Sequence, residues 1–302
     1  MADNGNIDPN MFTTPFQLTK SLHRDVYAAV DPAKHKPYAE GKVILIVGAS
    51  GGLGYATALT WSNAGAKGIV LVGRDTKKLE RAASELKTET LVAAGDMADE
   101  ATVKKIYDQA IAKFGNLDVV VNAAGTMNGS GLISQVAPSQ WWSDYESHVK
   151  GTYNLAHYFI NATGGKGTFI NLVSLGASFL NPGMSSYGPA NLAAIRLGEF
   201  LDLEQPDIRV FSVHPGIVEA AGDRGMVVDN FTPFAKDKQA LTAALTLYLM
   251  KPEADFLRGS YLSVNWDVEE MEKHKDEILE GKLLKLGFIG AKLGPEGHPW
   301  NV

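Results

Sequence analysis

Two hydroxyl side chains lie where they could act together on one carbonyl oxygen. Ser174 follows a predicted strand at 168–173, and Tyr187 begins the next predicted helix thirteen positions later. A strand end and the helix start facing it can aim two hydroxyl donors at the same carbonyl. Polarising a carbonyl in this way is what hydride transfer from a reduced cofactor requires. Serine and tyrosine are common, so the pair alone is weak evidence.

A glycine-rich turn supplies a second chemical feature. The segment GASGGLG at 48–54 joins the first predicted strand to the first helix. Unpaired amides and the dipole at a helix N-terminus attract a pyrophosphate, and glycines let it approach closely. The spacing is G-x3-G-x-G rather than the more familiar G-x-G-x-x-G. The predicted contacts are Gly48, Ser50, Gly52, Leu53 and Gly54, and the alternative is a tight turn that binds no ligand.

The residue after the second strand bears on the choice of cofactor. Arg74 can accommodate a ribose 2′-phosphate, whereas an acid at this point would accept from a 2′-hydroxyl. Arg74 therefore favours NADP over NAD, although the neighbouring Asp75 weakens the signal. The alternative is a solvated loop arginine.

Two further strand ends carry candidate cofactor contacts. Asp96, after the third strand, could bind adenine or could be an acid near a helix N-cap. Asn122 and Ala123 end the fourth strand, where small residues leave space for a cofactor across the strand ends. Asn122 could equally well hydrogen-bond neighbouring backbone groups.

The elements that must position these residues alternate regularly. Residues 43–47 form a continuous apolar run, which is typical of a strand buried on both faces. Strands separated by single helices must pair in parallel through right-handed crossovers. The sequence therefore predicts an α/β fold, a Rossmann-type doubly wound parallel sheet in three α/β/α layers and a single domain. Further strands are predicted at 69–72, 91–94, 117–121, 168–173, 208–213 and 261–264, with helices near 53–63, 76–87, 99–114, 139–161, 186–203 and 237–250.

The composition of the chain excludes several classes of chemistry and of binding partner. The chain has 302 residues, a formal net charge of −6 and no cysteine, which excludes disulfides, thiolate nucleophiles and cysteine-bound zinc. The basic residues are scattered along the chain, so the sequence indicates no basic patch that would bind nucleic acid or an anionic membrane. No apolar run approaches the ~18 residues of a membrane span. We expect a cytoplasmic protein, since no targeting segment is evident, and no metal, since the histidines form no ligand spacing.

Changes in composition along the chain predict three parts. Residues 1–40 are polar and interrupted by prolines, which predicts an N-terminal arm packed on the body. Residues 41–265 are predicted to form the dinucleotide-binding domain. Residues 266–302 are predicted to form a charged helix at 267–281 and a tail.

Taken in order, these motifs resemble the classical short-chain dehydrogenase/reductase family over about 41–265. The segments that carry the resemblance are the glycine turn, GRD at 73–75, Asp96, VNAAG at 121–125, NLVS at 171–174, Tyr187 and HPG at 214–216. The segments at 15–32 and 259–271 resemble a fungal branch. The resemblance implies a Rossmann fold, a nicotinamide dinucleotide also held at Pro215, Gly216 and Val218, and a homodimer or homotetramer.

Two positions depart from the family pattern. Family members usually carry Tyr-x-x-x-Lys, whose ammonium binds the nicotinamide ribose and favours tyrosinate, but here Asn191 replaces the lysine. An asparagine can donate a hydrogen bond to the ribose but has no charge. The family asparagine that holds a water in the proton relay corresponds to His148. That histidine could relay protons itself or merely pack.

The sequence leaves three hypotheses. The first is an NADP(H)-dependent reductase of a ketone or imine, with Tyr187 as acid, Ser174 as polarising donor, His148 as relay and Asn191 at the ribose. The second is an enzyme of the same fold that catalyses an isomerisation, dehydration or cyclisation without redox chemistry. The third is a non-catalytic NADP-binding module.

The expected substrate is a small molecule. Phe179, Met184 and the segment 217–234 lie where the family has its substrate loop, and their composition indicates an apolar, bulky substrate. The fungal resemblance favours a tailoring step of secondary metabolism.

Overall fold

A computed structural model describes residues 8–219 and 229–287. Within these ranges one sheet contains parallel strands in the order β3-β2-β1-β4-β5-β6-β7. The strands are β1 (Val43–Val47), β2 (Gly68–Gly73), β3 (Glu89–Ala94), β4 (Val119–Asn122), β5 (Gly167–Leu172), β6 (Ile208–His214) and β7 (Ser260–Ser263).

Helices connect successive strands, and further helices precede the first strand and follow the last. They are α1 (Pro32–Ala39), α2 (Gly52–Asn63), α3 (Thr76–Ser84), α4 (Glu100–Phe114), α5 (Pro138–Tyr145), α6 (Gly151–Thr163), α7 (Tyr187–Glu204), α8 (Gln239–Tyr248), α9 (Val268–Lys273) and α10 (Lys275–Gly281). Among the described residues, no helix is both long and apolar enough to cross a bilayer.

Apolar cores on both faces of the sheet explain the uninterrupted hydrophobic run of β1. Ile46 belongs to a core that includes Trp61 of α2, on one face. Leu45 points the opposite way, into a core with Tyr107 of α4 and Phe159 of α6. Because alternate side chains of a strand face opposite sides, both sets are apolar. The predicted Rossmann-type doubly wound sheet is confirmed.

The strand order reverses between β1 and β4. From this point the chain builds outward through β2 and β3 on one side and through β5, β6 and β7 on the other. Such a reversal opens a crevice beyond the carboxyl ends of the strands, where ligands of this architecture bind. The glycine turn, Ser174 and His214 all lie at this edge.

Two predicted helices are divided in the structure. The helix predicted over 139–161 consists of α5, a π-turn at Glu146–Lys150 and α6, and the Gly151 amide donates to the Glu146 carbonyl. A π-turn inserts one residue into a helix and is often found at functional sites. The charged helix predicted over 267–281 is α9 followed by α10, with the break at His274.

The N-terminal arm lies against the end of the sheet near β7. The Trp266 indole donates to the Phe16 carbonyl at 3.0 Å. His23 Nε2 lies 2.7 Å from Asp267 Oδ2, and Leu22 pairs with Trp266 through an isolated bridge. These contacts fix the arm residues beside the crevice.

Candidate active site

A cleft of about 550 Å³ runs along the carboxyl ends of the strands. Fourteen of the predicted site residues line it: Gly48, Ser50, Gly52, Leu53, Arg74, Asp96, Ala123, His148, Ser174, Tyr187, Asn191, Pro215, Gly216 and Val218. Gly54 and Asn122 do not line it. Residues 220–228 of the expected substrate loop and 288–302 of the tail lie outside the described residues.

The glycine turn leaves space and donors for an anion at the start of α2. Gly48 has φ +78°, and a β-carbon there would lie 2.9 Å from the Ala123 carbonyl oxygen. Gly51 occupies the N-cap of α2 and offers no side-chain cap. The first amides of a helix lack partners within it, so they remain available to a pyrophosphate. The geometry fits a dinucleotide.

Gly54 and Asn122, both predicted to contact the cofactor, are buried and make structural contacts. A β-carbon on Gly54 would clash with the Gly48 carbonyl, so this glycine permits α2 to pack against the turn. The buried Asn122 amide donates to Asn171 Oδ1 at 2.9 Å and to Thr152 Oγ1 at 3.2 Å. It thereby ties β4 to β5 and α6, and its Oδ1 accepts from the Ala124 amide at 3.3 Å, a neighbouring backbone group of the kind that the alternative predicts.

The two acids that follow β2 and β3 accept hydrogen bonds from backbone amides. Asp75 caps α3 and accepts from the Lys78 amide at 3.1 Å, so its carboxylate serves the helix. Arg74, one residue earlier, is exposed and lines the cleft. Asp96 lines the cleft as well, while its Oδ1 accepts from the Ala98 amide at 2.9 Å. Arg74 is therefore the charged side chain available at the end of β2.

Tyr187 and Ser174 meet in the cleft as their spacing predicted. The Tyr187 phenol lies near the Ser174 hydroxyl, and the Gly176 amide donates to Ser174 Oγ at 3.0 Å. Burial raises the pKa of Tyr187, the Ser174 hydroxyl lowers it, and the nearby Asp144 carboxylate raises it. The phenol therefore holds its proton at neutral pH and can act as a donor.

Asn191 places an uncharged group at the position where the resemblance predicts a lysine. Its buried amide donates to the Tyr187 backbone carbonyl at 3.0 Å, one turn earlier in α7. Among the described residues that line the cleft, Arg74 alone is an arginine or lysine. Lys150 is exposed and does not line it. The described surroundings of Tyr187 thus lack the cation that lowers a phenol pKa in the usual arrangement.

His148 projects from the π-turn onto Tyr187. The two rings meet edge to face with centroids 5.3 Å apart. His148 Nε2 lies 2.8 Å from the Thr126 carbonyl, which makes this nitrogen the donor. Burial lowers the pKa of His148, so the ring is neutral at neutral pH. A neutral ring fixed to a backbone carbonyl is better suited to positioning Tyr187 than to carrying a proton.

Two buried aspartates, Asp144 and Asp237, hold the loops at the cleft, and no sequence motif marked either of them. Asp144 accepts from the Ser186 hydroxyl at 2.6 Å and from the Asn128 amide at 2.8 Å. It therefore joins the loop after β4 to the start of α7, beside Tyr187. Each of these contacts connects residues distant in the chain, and so leaves no local sequence pattern.

Asp237 does the same for the loop after β6. Its Oδ2 accepts from the Ile217 amide at 2.6 Å, and its Oδ1 contacts Arg24 at 2.9 Å and Asn265 at 2.8 Å. Burial raises the pKa of Asp237, while Arg24 lowers it. An arm residue thus helps to fix the segment at Pro215 and Gly216.

The buried His214 predicts a measurable acid sensitivity. Its Nδ1 accepts from the Leu175 amide at 3.2 Å, and burial lowers the pKa of His214 to about 3. Below pH 6.5 the His214 imidazole binds a proton in the unfolded chain but stays neutral in the folded chain. The free energy of unfolding therefore falls as the pH falls towards 3. For one such group the loss is about 2 kcal/mol between pH 7 and pH 5.

We expect His214→Asn, which retains an acceptor for the Leu175 amide, to remove this part of the pH dependence. Urea denaturation at the two pH values measures it, and His274→Asn, at an exposed histidine, is the control. An unchanged pH dependence in His214→Asn would contradict the assignment.

Comparison with known proteins identifies the family. The profile described as short chain dehydrogenase matches residues 42–227. The short chain dehydrogenase mpl6 of Monascus purpureus is 32% identical over 286 residues, which cover 91% of this chain and 97% of that protein. The short chain dehydrogenase pigC of Monascus ruber is 30% identical over 93% of this chain and 97% of that protein. The chain belongs to the short-chain dehydrogenase family, and the fungal resemblance is confirmed.

Solved structures confirm the fold. A short-chain dehydrogenase of Burkholderia cenocepacia in complex with NADP has a TM-score of 0.68 at 22% identity, covering 76% of this chain and 98% of that one. A 7α-hydroxysteroid dehydrogenase with NADH and a 7-oxo bile acid conjugate also scores 0.68 at 22% identity, covering 80% and 97%. One structure thus holds NADP and the other NADH.

Proposed function

We propose that the protein is an NADP(H)-dependent oxidoreductase that reduces a ketone or imine of an apolar small molecule. One observation carries the proposal. Tyr187 and Ser174 line the same cleft that opens at the uncapped N-terminus of α2. An anion site and a proton donor in one crevice are the two elements that carbonyl reduction by a dinucleotide needs.

The cofactor-binding roles follow from position along the cleft. Gly48, Ser50, Gly52 and Leu53 surround the expected pyrophosphate, and the α2 amides supply donors to it. Arg74 would meet a 2′-phosphate, since Asp75 is engaged in capping α3. Asp96 lines the cleft after β3, next to β2, Ala123 lines it after β4, and Pro215, Gly216 and Val218 line it after β6. When bound, the cofactor supplies a hydride to the substrate carbon.

Proton delivery rests on Tyr187 in this proposal. Its phenol donates a proton to the carbonyl oxygen as the new C–H bond forms, and solvent afterwards restores that proton. The Ser174 hydroxyl hydrogen-bonds to the same oxygen, and His148 holds the Tyr187 ring in place. The products are an alcohol, or an amine from an imine, and the oxidised cofactor. Asn191 can hydrogen-bond to the ribose but cannot lower the phenol pKa by charge.

A second candidate function is an isomerisation, dehydration or cyclisation without hydride transfer. The observation that favours it is the raised pKa of Tyr187 in the absence of a lysine at position 191. A phenol that retains its proton can still polarise a carbonyl by hydrogen bonding, and the α-proton released on enolisation would pass to solvent.

Cofactor titration followed by a substrate assay tests the proposal. Purified protein is titrated with NADPH while cofactor fluorescence is followed, and absorbance decay is then measured with a panel of ketones and imines. Binding with turnover is the expected result. Binding without hydride transfer to any member would favour the non-redox candidate or a non-catalytic binding module. Failure to bind NADPH would overturn the proposal.

Restoring the family lysine offers a sharper test. We expect Asn191→Lys to raise kcat for ketone reduction by about tenfold, because a cation within reach lowers the phenol pKa by about one unit or more. The pH limb assigned to Tyr187 should move to lower pH by the same amount. Asn161→Lys, an exposed site on α6, is the matched control. Unchanged kcat and pH profile in Asn191→Lys would show that the missing charge does not limit catalysis.

We also propose a homodimer or homotetramer, in the cytoplasm. Large apolar side chains are exposed on α6 and α7, including Tyr153, Leu192, Phe200 and Leu203. Exposed apolar surface of this kind on adjacent helices favours self-association. Nucleic acid and membrane surfaces are not expected partners, since the net charge is −6.

A further inference from the structure

Five phenylalanines form a cluster beside the cleft, and two of them come from the N-terminal arm. Phe12 stacks on Phe179 with ring centroids 5.8 Å apart and meets Phe231 at 5.4 Å and Phe234 at 4.8 Å. Phe16 also contacts Phe179, at 5.4 Å. We refer to these five residues as the aromatic wall. The wall brings together three segments that are far apart in the sequence.

Phe12 lies between two cavities. It lines the cleft that contains Tyr187, and it lines a neighbouring chamber of about 400 Å³. Met127, Met184 and Phe231 border both spaces as well. Thioether side chains adapt their shape and make favourable contacts with aromatic rings. The boundary between the two cavities is therefore apolar, aromatic and deformable.

Specific contacts hold the N-terminal arm so that Phe12 and Phe16 lie beside the cleft. Arg24 forms an ion pair with the buried Asp237, and its carbonyl accepts from the Lys238 amide at 2.8 Å. The Phe16 carbonyl accepts from the Trp266 indole at 3.0 Å. Since Asp237 also binds the Ile217 amide, the arm is coupled to the loop after β6. These specific contacts fix the arm at Phe16 and at Arg24.

We propose that the N-terminal arm completes the substrate pocket, and that the aromatic wall selects a flat ketone with fused aromatic rings. The substrate carbonyl lies at Tyr187 and Ser174, its ring system packs against Phe12, and its far end enters the second chamber. Aromatic rings prefer offset-stacked or edge-to-face partners, which Phe12 and Phe231 can provide from two directions. This inference deepens the proposed function and relies on it for the position of the carbonyl.

Binding measurements test the wall separately from turnover. The dissociation constant of methyl naphthyl ketone is measured by calorimetry on the full-length protein, first alone and then with NADP+. Acetone, which lacks the rings, is the comparison probe. We expect Phe12→Ala to weaken binding of the naphthyl ketone about tenfold, as 1.4 kcal/mol corresponds to. NADPH binding, followed by cofactor fluorescence, should stay unchanged in this variant. Leu18→Ala, at an exposed arm residue that lines neither cavity, should bind as the wild type does.

A conservative variant keeps the test decisive if Phe12→Ala fails to fold, which circular dichroism reports. Phe12→Leu retains apolar bulk without the ring, and we expect it to bind the naphthyl ketone more weakly than the wild type. Wild-type affinity in Phe12→Leu or Phe12→Ala would overturn the inference. So would a wild-type protein that binds the naphthyl ketone no more tightly than acetone. If the ketone binds through Phe12 but hydride is never transferred, the proposed function fails and the aromatic wall stands.

Discussion

Tyr187→Phe is expected to lower kcat for ketone reduction by roughly 10²–10⁴-fold, the usual contribution of a positioned general acid. The substitution removes one oxygen from a ring that packs edge to face on His148, so the cleft should keep its shape. NADPH affinity should change little, because the phenol serves the substrate oxygen. Steady-state kinetics and NADPH fluorescence titration together measure both quantities.

A tyrosine outside the cleft supplies the control for this loss. Tyr38 lies on α1 and does not line the cleft, so Tyr38→Phe should retain wild-type turnover. Ketone reduction that survives undiminished in Tyr187→Phe would remove this residue from proton delivery. Ser174 or a water would then have to supply the proton.

Arg74→Glu is expected to weaken NADPH binding by about thirtyfold or more, which corresponds to the loss of about 2 kcal/mol in a hydrogen bond to a charged group. NADH, which has no 2′-phosphate, should bind at least as well as before, because a carboxylate at this position can accept from the ribose hydroxyl. The ratio of the two dissociation constants reports the change free of any general effect on folding.

Lys77→Glu makes the same change of charge three residues further on, at an exposed position of α3 outside the cleft. It should alter NADPH affinity only slightly, through screened long-range electrostatics. Equal losses in the two variants would mean that net charge, rather than a contact with the 2′-phosphate, sets the preference. An unaltered ratio in Arg74→Glu would leave NAD as the better assignment.

The sheet could be predicted from the sequence because burial on both faces leaves an unmistakable pattern. The run at 43–47 coincides with β1, and each later predicted strand overlaps an observed one. The divided helices could not be predicted. Nothing in ESHVK marks an extra residue in the helical turn, and the break at His274 interrupts a periodic pattern that would suit one helix. Both features depend on packing against the rest of the protein.

The site was accessible from sequence only where its residues follow strands. Arg74, Ser174 and Tyr187 lie at strand ends or helix starts, and topology alone brings such positions to one edge. Gly54 and Asn122 share that placement. Gly54, however, packs against the Gly48 carbonyl, and the Asn122 side chain donates to Asn171, which the spacing of residues cannot reveal.

The contacts of the N-terminal arm could not be predicted from the sequence for a different reason. Arg24 contacts Asp237, which is 213 positions away in the sequence. Phe12 contacts Phe179 and Phe234, which are also far from it in the sequence. Tertiary pairs of this separation carry no periodic signal in one sequence. A polar, proline-broken arm therefore indicated packing on the body but not a contribution to the pocket.

A single-turnover experiment addresses the central claim most directly. Protein in excess over NADPH, with deuterium at the transferred position of the nicotinamide or without it, is mixed rapidly with methyl naphthyl ketone. The proposed mechanism predicts that the absorbance of the reduced nicotinamide decays, and that deuterium slows the decay. Cofactor that binds, as its fluorescence shows, and yet stays reduced through the ketone and imine panel would contradict hydride transfer in this cleft.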